Sequence, residues 1–129
     1  MTTSSAHSPV RRNLRREGTA GEDLAARYLA ELGYRIVERN FRFRRRGEID
    51  IVARDGEDLV FCEVKLRTNE KFGPPEYAVT RAKQERIRRI AAAYLAVRQI
   101  AGQACRFDVV TIRPGGGAPP LVTLMKNAF

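Results

Sequence analysis

The chain has 129 residues, a length that favours one compact domain over two. Apolar residues make up 43% of the chain and charged residues 30%, so we expect a hydrophobic core rather than a disordered chain. Lys and Arg together number 24 against 15 Asp and Glu, and 20 of these cations are arginines. Because the planar guanidinium fits phosphate oxygens, this charge predicts a polyanionic partner, which it leaves open between DNA, RNA and an anionic membrane.

Composition also excludes several classes of protein. No run approaches the roughly 18 apolar residues of a membrane span, and the N-terminus lacks the apolar segment of a secretory signal, which predicts a soluble, cytoplasmic protein without a membrane partner. Two cysteines are too few for a disulfide scaffold or a cysteine-based zinc site. The single histidine, His7, argues against histidine-based catalysis. Any chemistry must therefore use carboxylates, Lys, Arg, Tyr or a metal held by oxygen.

Residues 1–17 are predicted to be a disordered basic arm, and residues 18–129 to form the single domain. The arm is rich in Ser, Thr and Arg, a composition that an organelle transit peptide would share. Ordered structure is expected from Thr19, because Thr19-Ala20-Gly21-Glu22 fits a helix capping box. Apolar residues then recur at helical spacing as far as Gly33, which suits the end of the helix.

Three strands are predicted next, over residues 34–43, 48–53 and 59–65, where β-branched and aromatic residues are concentrated. Arg44-Arg45-Arg46-Gly47 forms a charged turn between the first two strands. Asp55-Gly56 suits a tight hairpin between the second and the third. We therefore expect an antiparallel meander.

The second half of the chain is predicted to add a helix and one or two strands. A polar loop over residues 68–75 precedes a helix over 81–99 and a strand over 107–112, which the helical crossover makes parallel to the third strand. Residues 114–120 are expected to be a Gly/Pro linker, followed by an edge strand over 121–125. The order α-β-β-β-α-β(-β) predicts an α/β fold, a mixed sheet between two helical layers.

The predicted second strand carries two carboxylates on one side. Because residues two apart on a strand share a face, Glu48 and Asp50 are expected to lie together. By the same rule, Ile49 and Ile51 are expected to share the opposite face.

Glu63 and Lys65 share a face near the end of the third strand, and the hairpin at Asp55-Gly56 brings Asp50 close to Glu63. Converging carboxylates suit a hard divalent cation, Mg²⁺ or Mn²⁺, which keeps several waters and binds substrate phosphate. A lysine beside the ion positions or helps to deprotonate a water, or stabilises developing charge, so the set suits metal-assisted phosphodiester hydrolysis. The alternative is a solvated strand face with a Glu63–Lys65 ion pair of little energetic value.

Asp50, twelve residues and then Glu63-Val64-Lys65 resemble the Asp…Glu-x-Lys signature of the PD-(D/E)XK, or restriction-endonuclease-like, nuclease superfamily. The predicted element order also resembles the common core of that superfamily, a three-layer sandwich. Over residues 18–129 the chain more closely resembles the YraN family of bacterial proteins. The segments that carry this closer resemblance are Gly47-Glu48-Ile49-Asp50, Phe61-Cys62-Glu63-Val64-Lys65, Arg106-Phe107-Asp108-Val109-Val110 and Asn127-Ala128-Phe129.

The resemblance implies roles for the residues of the signature. Asp50 and Glu63 would be metal ligands, with the backbone carbonyl of Val64 as a third, and Lys65 would be the catalytic lysine. Ile49 stands where the superfamily has its nominal proline.

Three other acidic residues have alternative roles. Archaeal Holliday-junction resolvases, which belong to the superfamily, carry a glutamate on the first helix, and Glu22 would match it as a further catalytic residue or would serve only the helix cap. Glu48 would bind the metal or pair with nearby arginines. Asp108 would support the site or face a turn.

Two basic elements flank the proposed acidic site. Residues 35–46 contain six arginines and one glutamate, and the helix over 81–98 contains six cations and one acid. Such an excess favours contact with nucleic acid, although the charged turn would also be compatible with a solvated surface. The residues expected to contact nucleic acid are Arg42, Arg44, Arg45, Arg46, Lys83 and Arg86.

Together these features predict a nuclease that depends on Mg²⁺ or Mn²⁺ and hydrolyses DNA. Because the core is short and carries no element that would read sequence, structure-selective or non-specific action is expected. A homodimer would suit DNA targets with two-fold symmetry. The alternative is a non-catalytic basic nucleic-acid-binding module with a vestigial nuclease site.

Overall fold

The computed structural model describes the backbone of residues 9–67 and 79–129, and the side chains of residues 20–67 and 79–129. Two helices and five strands follow one another within these ranges in the predicted order. The elements are α1 (Pro9–Glu31), β1 (Arg35–Arg42), β2 (Glu48–Asp55), β3 (Asp58–Leu66), α2 (Arg81–Val97), β4 (Cys105–Gly115) and β5 (Ala118–Met125). The predicted polar loop over 68–75 lies outside the described residues.

The five strands form one sheet in the order β1-β2-β3-β4-β5. Strands β3 and β4 are parallel, as the crossover through α2 predicted, and the other neighbouring strands are antiparallel. The sheet is therefore mixed, and the restriction-endonuclease-like fold class is confirmed.

The two helices cover opposite faces of the sheet. Along β3, Val60 and Cys62 pack in the cluster that contains Ala25 and Leu29 of α1. The alternate residue Phe61 packs in the second cluster, with Ile87, Ile90, Ala91 and Tyr94 of α2. Because successive residues of a strand point to opposite faces, the core consists of two apolar layers separated by the sheet.

The start of α1 differs from the prediction. The helix begins at Pro9 and continues through Thr19 and Glu22, so the predicted capping box is wrong. Proline suits the first position of a helix, because the N–H that it lacks would have no intrahelical acceptor there. The end agrees with the prediction: Gly33 has a φ of 100°, and the Tyr34 N–H donates to the Leu29 carbonyl at 3.0 Å. Residues 1–8 of the predicted arm lie outside the described residues.

The predicted Gly/Pro linker over 114–120 is also wrong. Strand β4 continues to Gly115, and β5 begins at Ala118. Gly116 and Gly117 turn the chain between them with φ values of 57° and 105°, a conformation that glycine adopts without steric cost. The predicted edge strand over 121–125 is confirmed and starts three residues earlier.

Strand β2 departs from simple alternation at Asp50. Ile49 packs in the cluster on the α2 side and Ile51 in the cluster on the α1 side, so the prediction that they share a face is wrong. The ladder between β2 and β3 ends at the pair Ile51–Cys62, immediately after Asp50. Beyond that pair, the Val64 N–H donates to the Asp50 side chain.

Candidate metal centre

Three carboxylates converge where α1 crosses the start of β2. Glu22 comes from the middle of α1, and Glu48 and Asp50 are the first and third residues of β2. One oxygen of each lies within 4.8 Å of the others. Because α1 continues through Glu22 instead of starting there, this side chain is available to the cluster and has no capping role.

Asp50 is the buried member of this cluster, with 9% of its surface exposed. Its Oδ2 accepts a hydrogen bond of 2.8 Å from the Val64 N–H, which fixes the orientation of the carboxylate. Burial, followed by the charge of Glu63, raises the pKa of Asp50 to about 8, although the Val64 hydrogen bond opposes the shift. At neutral pH this pKa favours the protonated form of Asp50, and a bound cation would favour the ionised form.

Glu63 follows Cys62, the last residue of β3 that pairs with β2, and therefore lies beside Asp50. It is 6% exposed. Its Oε2 is 2.6 Å from Nζ of Lys83, the third residue of α2. The helix start determines where this lysine lies, because Thr80 is the N-cap and its Oγ1 accepts from the Lys83 N–H at 3.2 Å. The structure thus places an ammonium group at the second predicted metal ligand.

Asn40, which was not predicted from the sequence, also contacts the clustered carboxylates. It lies on β1 between Arg39 and Phe41, which pair with Ile51 and Ile49, and is therefore opposite Asp50. Its φ of 56° is left-handed, a conformation that asparagine tolerates better than most residues. An asparagine among the β-branched and aromatic residues of a predicted strand was the available signal.

The Asn40 amide joins two of the three clustered carboxylates. Its Nδ2 donates to Oε1 of Glu22 at 2.9 Å and to Oε2 of Glu48 at 3.3 Å. Glu48 also pairs with Arg42, whose Nε is 3.2 Å from Oε1. Pairing with a nearby arginine was one of the two roles predicted for Glu48. One amide thus bridges two acids from different elements, and each acid also has an arginine partner, Arg42 for Glu48 and Arg39 at 3.7 Å for Glu22.

Two adjoining cavities of about 270 Å³ each meet at the acidic residues. Asp50, Glu63 and Lys83 line both of them. One cavity is completed by Gly47, Glu48, Arg86, Ile87 and Ile90, and the other by Gly21, Glu22, Val64 and Leu66.

Lys65 lies apart from this lining. It is half-buried on β3 beside Thr111 of β4, and it lines neither of the two cavities. Alternation along β3 places it on the same face as Glu63, as predicted. Within residues 20–67 and 79–129, no ion pair joins Lys65 to a carboxylate. The role predicted for this lysine stays a prediction.

The donor set suits a hard divalent cation. The candidate ligands are oxygens: the carboxylates of Glu22, Glu48, Asp50 and Glu63, and the carbonyl of Val64, a residue that lines the second cavity. Mg²⁺ and Mn²⁺ prefer such oxygen ligands, and crowding of carboxylates around the buried Asp50 is relieved by positive charge.

The two predicted basic elements adjoin on one side of the site. Arg44, Arg45 and Arg46 are exposed in the turn between β1 and β2, and the Arg44 guanidinium lies 5.2 Å from the centre of the Phe43 ring. Gly47 ends this turn with a φ of 127°, and a Cβ there would lie 3.4 Å from Cδ of Arg86 and 3.3 Å from Ile90. Glycine thus lets the charged turn pack against α2.

Asp108 belongs to a separate buried network. It is fully buried, and its carboxylate accepts hydrogen bonds from Nε of Arg106 at 2.9 Å, from Oη of Tyr34 at 2.8 Å and from the Asn127 N–H at 2.9 Å. Arg106 also reaches Asp55 at 2.8 Å, in the hairpin at the far end of β2 from Asp50. These contacts tie the C-terminus to the sheet and make the role of Asp108 structural.

Comparison with known proteins identifies relatives of the whole domain. Residues 21–112 match the model of the uncharacterised protein family UPF0102. A UPF0102 protein of Symbiobacterium thermophilum is 50% identical over 89% of this chain and 97% of its own. One of Moorella thermoacetica is 53% identical over 76% of this chain and 81% of its own, and one of Syntrophus aciditrophicus is 47% identical over 88% of both. The resemblance to the YraN family is confirmed.

No helix in the described parts of the chain has the length and apolar character needed to cross a membrane.

Proposed function

The chain belongs to the uncharacterised protein family UPF0102, and we propose that it is a nuclease that uses Mg²⁺ or Mn²⁺ to hydrolyse phosphodiester bonds of DNA. One observation carries the proposal: acidic side chains from α1, β2 and β3 converge on the buried Asp50, in a cavity that two basic elements border. Acidic side chains suit a bound divalent cation, and the surrounding basic side chains suit the phosphates of a nucleic acid that contacts it.

Asp50, Glu63 and the carbonyl of Val64 would hold the ion, together with Glu22 and Glu48. When bound, the ion neutralises charge on the phosphate and lowers the pKa of water. The Val64 N–H keeps Asp50 oriented, and Asn40 keeps Glu22 and Glu48 together. Lys65, which has a flexible stem on the same strand face as Glu63, would orient the attacking water or stabilise the charge that develops on phosphate.

The basic residues would bind the nucleic acid backbone. Arg42, Arg44, Arg45 and Arg46 lie in or beside the charged turn, and Arg86 lines the first cavity together with Lys83. Contacts of this kind position the phosphates without selecting sequence. The proposed substrate is therefore DNA recognised by its shape or bound non-specifically.

A second candidate function is a nucleic-acid-binding module without catalysis. The position of Lys65 favours it, because this lysine lines neither cavity. The same basic surface would serve such a module, and the carboxylates would then have no chemical role.

The two candidates differ in cleavage. Purified protein is incubated with duplex, single-stranded, flap and four-way-junction DNA, with Mg²⁺, Mn²⁺ or EDTA. The nuclease proposal expects cleavage of at least one substrate with a divalent ion and none with EDTA. Binding without metal-dependent cleavage of any of the four would contradict it and support the binding module.

A further inference from the structure

The ion pair between Lys83 and Glu63 joins a buried carboxylate to a more exposed ammonium group. The Glu63 side chain is 6% exposed and that of Lys83 is 34% exposed, and Nζ and Oε2 are 2.6 Å apart. Leaving a buried charge without its partner is strongly unfavourable, so Glu63 requires a cation nearby. In the described structure Lys83 provides that cation.

A divalent ion at Asp50 and Glu63 would provide the same compensation at nearly the same place. An ammonium that stayed 2.6 Å from Oε2 would then repel the ion, because like charges at such short range disfavour each other. The lysine side chain has a flexible four-carbon stem, and Lys83 lines both cavities. Lys83 can therefore leave Glu63 while α2 stays in place.

We propose that Lys83 is a tethered counter-ion of Glu63, which competes with the divalent cation and is displaced when the cation binds. This inference rests on the metal site of the proposed function. Arg86 lies three residues further along α2 and lines the first cavity as well, so the two side chains are neighbours on one helix face. The displaced ammonium remains in the lining of the first cavity, which Arg86 shares, and is then free to bind substrate phosphate.

Competition predicts how metal affinity changes when the lysine is removed. Lys83→Met keeps the length of the side chain and removes the charge. Arg86→Met is the matched control, because it removes one positive charge from the lining of the same cavity without breaking an ion pair of Glu63. Both variants lose one positive charge, so any gain in metal affinity from the lower charge alone is common to both. Relief of competition at Glu63 increases the metal affinity of Lys83→Met alone.

Isothermal titration calorimetry with Mn²⁺ measures these affinities. We expect Lys83→Met to bind Mn²⁺ about tenfold more tightly than the parent, a difference of about 1.4 kcal/mol, and clearly more tightly than Arg86→Met. Lys83→Arg, which keeps the charge, should restore an affinity close to that of the parent. Equal affinities of Lys83→Met and Arg86→Met, or weaker binding by Lys83→Met, would overturn the inference and leave the metal site intact. No Mn²⁺ binding by the parent would instead overturn the proposed function.

Thermal unfolding gives a second readout that does not depend on a titration curve. Without metal, Lys83→Met should unfold at a lower temperature than the parent, because Glu63 has lost its counter-ion. With saturating Mn²⁺ the difference should become smaller, since the ion then replaces the ammonium. If Lys83→Met does not fold, Lys83→Gln, which can still donate a neutral hydrogen bond to Glu63, is measured in its place. A difference that stays the same in Mn²⁺ would show a permanent structural pair and contradict displacement.

Discussion

The backbone N–H of Val64 donates to Oδ2 of Asp50 at 2.8 Å, at the point where pairing between β2 and β3 stops. The bond holds the carboxylate at the end of the hairpin, beside Glu63, and it lowers the pKa of Asp50. Burial and the neighbouring acids raise that pKa by more, to about 8. Asp50 is thus oriented for a cation but destabilising when ionised without one.

The raised pKa of Asp50 predicts how the stability of the protein depends on pH. The carboxyl has a pKa of 3.8 in the unfolded chain and about 8 in the folded one, so the folded state retains a proton that the unfolded state loses. The contribution of the Asp50 carboxyl to the free energy of unfolding is therefore fully present below pH 3.8 and is lost as the pH rises through 8. Asp50→Asn does not titrate. Without metal it should therefore melt above the parent at pH 9, by about 4 °C or more, and the gap should narrow towards pH 4.

Melting curves of both proteins between pH 4 and pH 9 in EDTA measure this gap. Glu85→Gln, which removes a carboxylate from the exposed surface of α2, controls for the loss of one negative charge. A gap between Asp50→Asn and the parent that is constant across the range would contradict the assignment of this titration to Asp50.

Asn40 is predicted to support metal binding through the acids that it joins. Asn40→Gly keeps a residue that tolerates the left-handed φ of 56° but removes the amide. We expect Mn²⁺ affinity to fall about tenfold, the lower end of the effect of losing a partner that orients metal ligands. The matched control is Asn127→Gly, also at a left-handed position, with a φ of 52°. Equal affinities of the two variants in calorimetry would mean that the Asn40 amide does not organise the site.

The charged turn is predicted to supply part of the affinity for DNA. Arg45→Ala/Arg46→Ala removes two exposed charges beside the site. Arg27→Ala/Arg35→Ala removes two exposed charges away from this turn, because Arg27 lies on α1 and Arg35 at the opposite end of β1. The logarithm of affinity falls with the logarithm of salt concentration by about 0.9 per phosphate contact on duplex DNA. Fluorescence anisotropy at several salt concentrations should give a shallower slope for the first variant only. The same slope for both would make the turn a solvated surface.

The network around Asp108 is predicted to act on stability and not on metal binding. Asp108→Asn removes the charge of the fully buried partner of the half-buried Arg106, and breaking a buried ion pair costs about 3–5 kcal/mol. Urea denaturation should show this loss, while Mn²⁺ affinity of the folded variant stays that of the parent. Lost Mn²⁺ binding at unchanged stability would place Asp108 in the functional site instead.

The sequence was sufficient to place Asp50 next to Glu63, because both the hairpin and the spacing of the two acids are local features. It also predicted the parallel pairing of β3 with β4, which follows from the crossover through α2. The start of α1 was mispredicted because Thr19 and Glu22 satisfy a capping pattern inside a helix that already begins at Pro9.

Other features depend on contacts between distant parts of the chain. The pair between Lys83 and Glu63 requires the first turn of α2 to lie over the end of β3, which no local pattern encodes. The Asn40 bridge requires a left-handed residue inside a strand, a conformation that propensity arguments exclude by default. Ile49 and Ile51 diverge because β2 changes its alternation where its ladder with β3 ends, whereas the prediction assumed a regular strand.

Cleavage by variants of Asp50 and Lys65, with DNA binding measured in parallel, distinguishes a metal-dependent nuclease from a binding module. Single-turnover cleavage of a labelled DNA in Mn²⁺ is compared for the parent, Asp50→Asn and Lys65→Ala. We expect both variants to bind DNA about as well as the parent and to cleave it at least ~100-fold more slowly, the scale for losing one charge-stabilising or proton-transfer group. Cleavage by both variants at the rate of the parent would contradict this expectation.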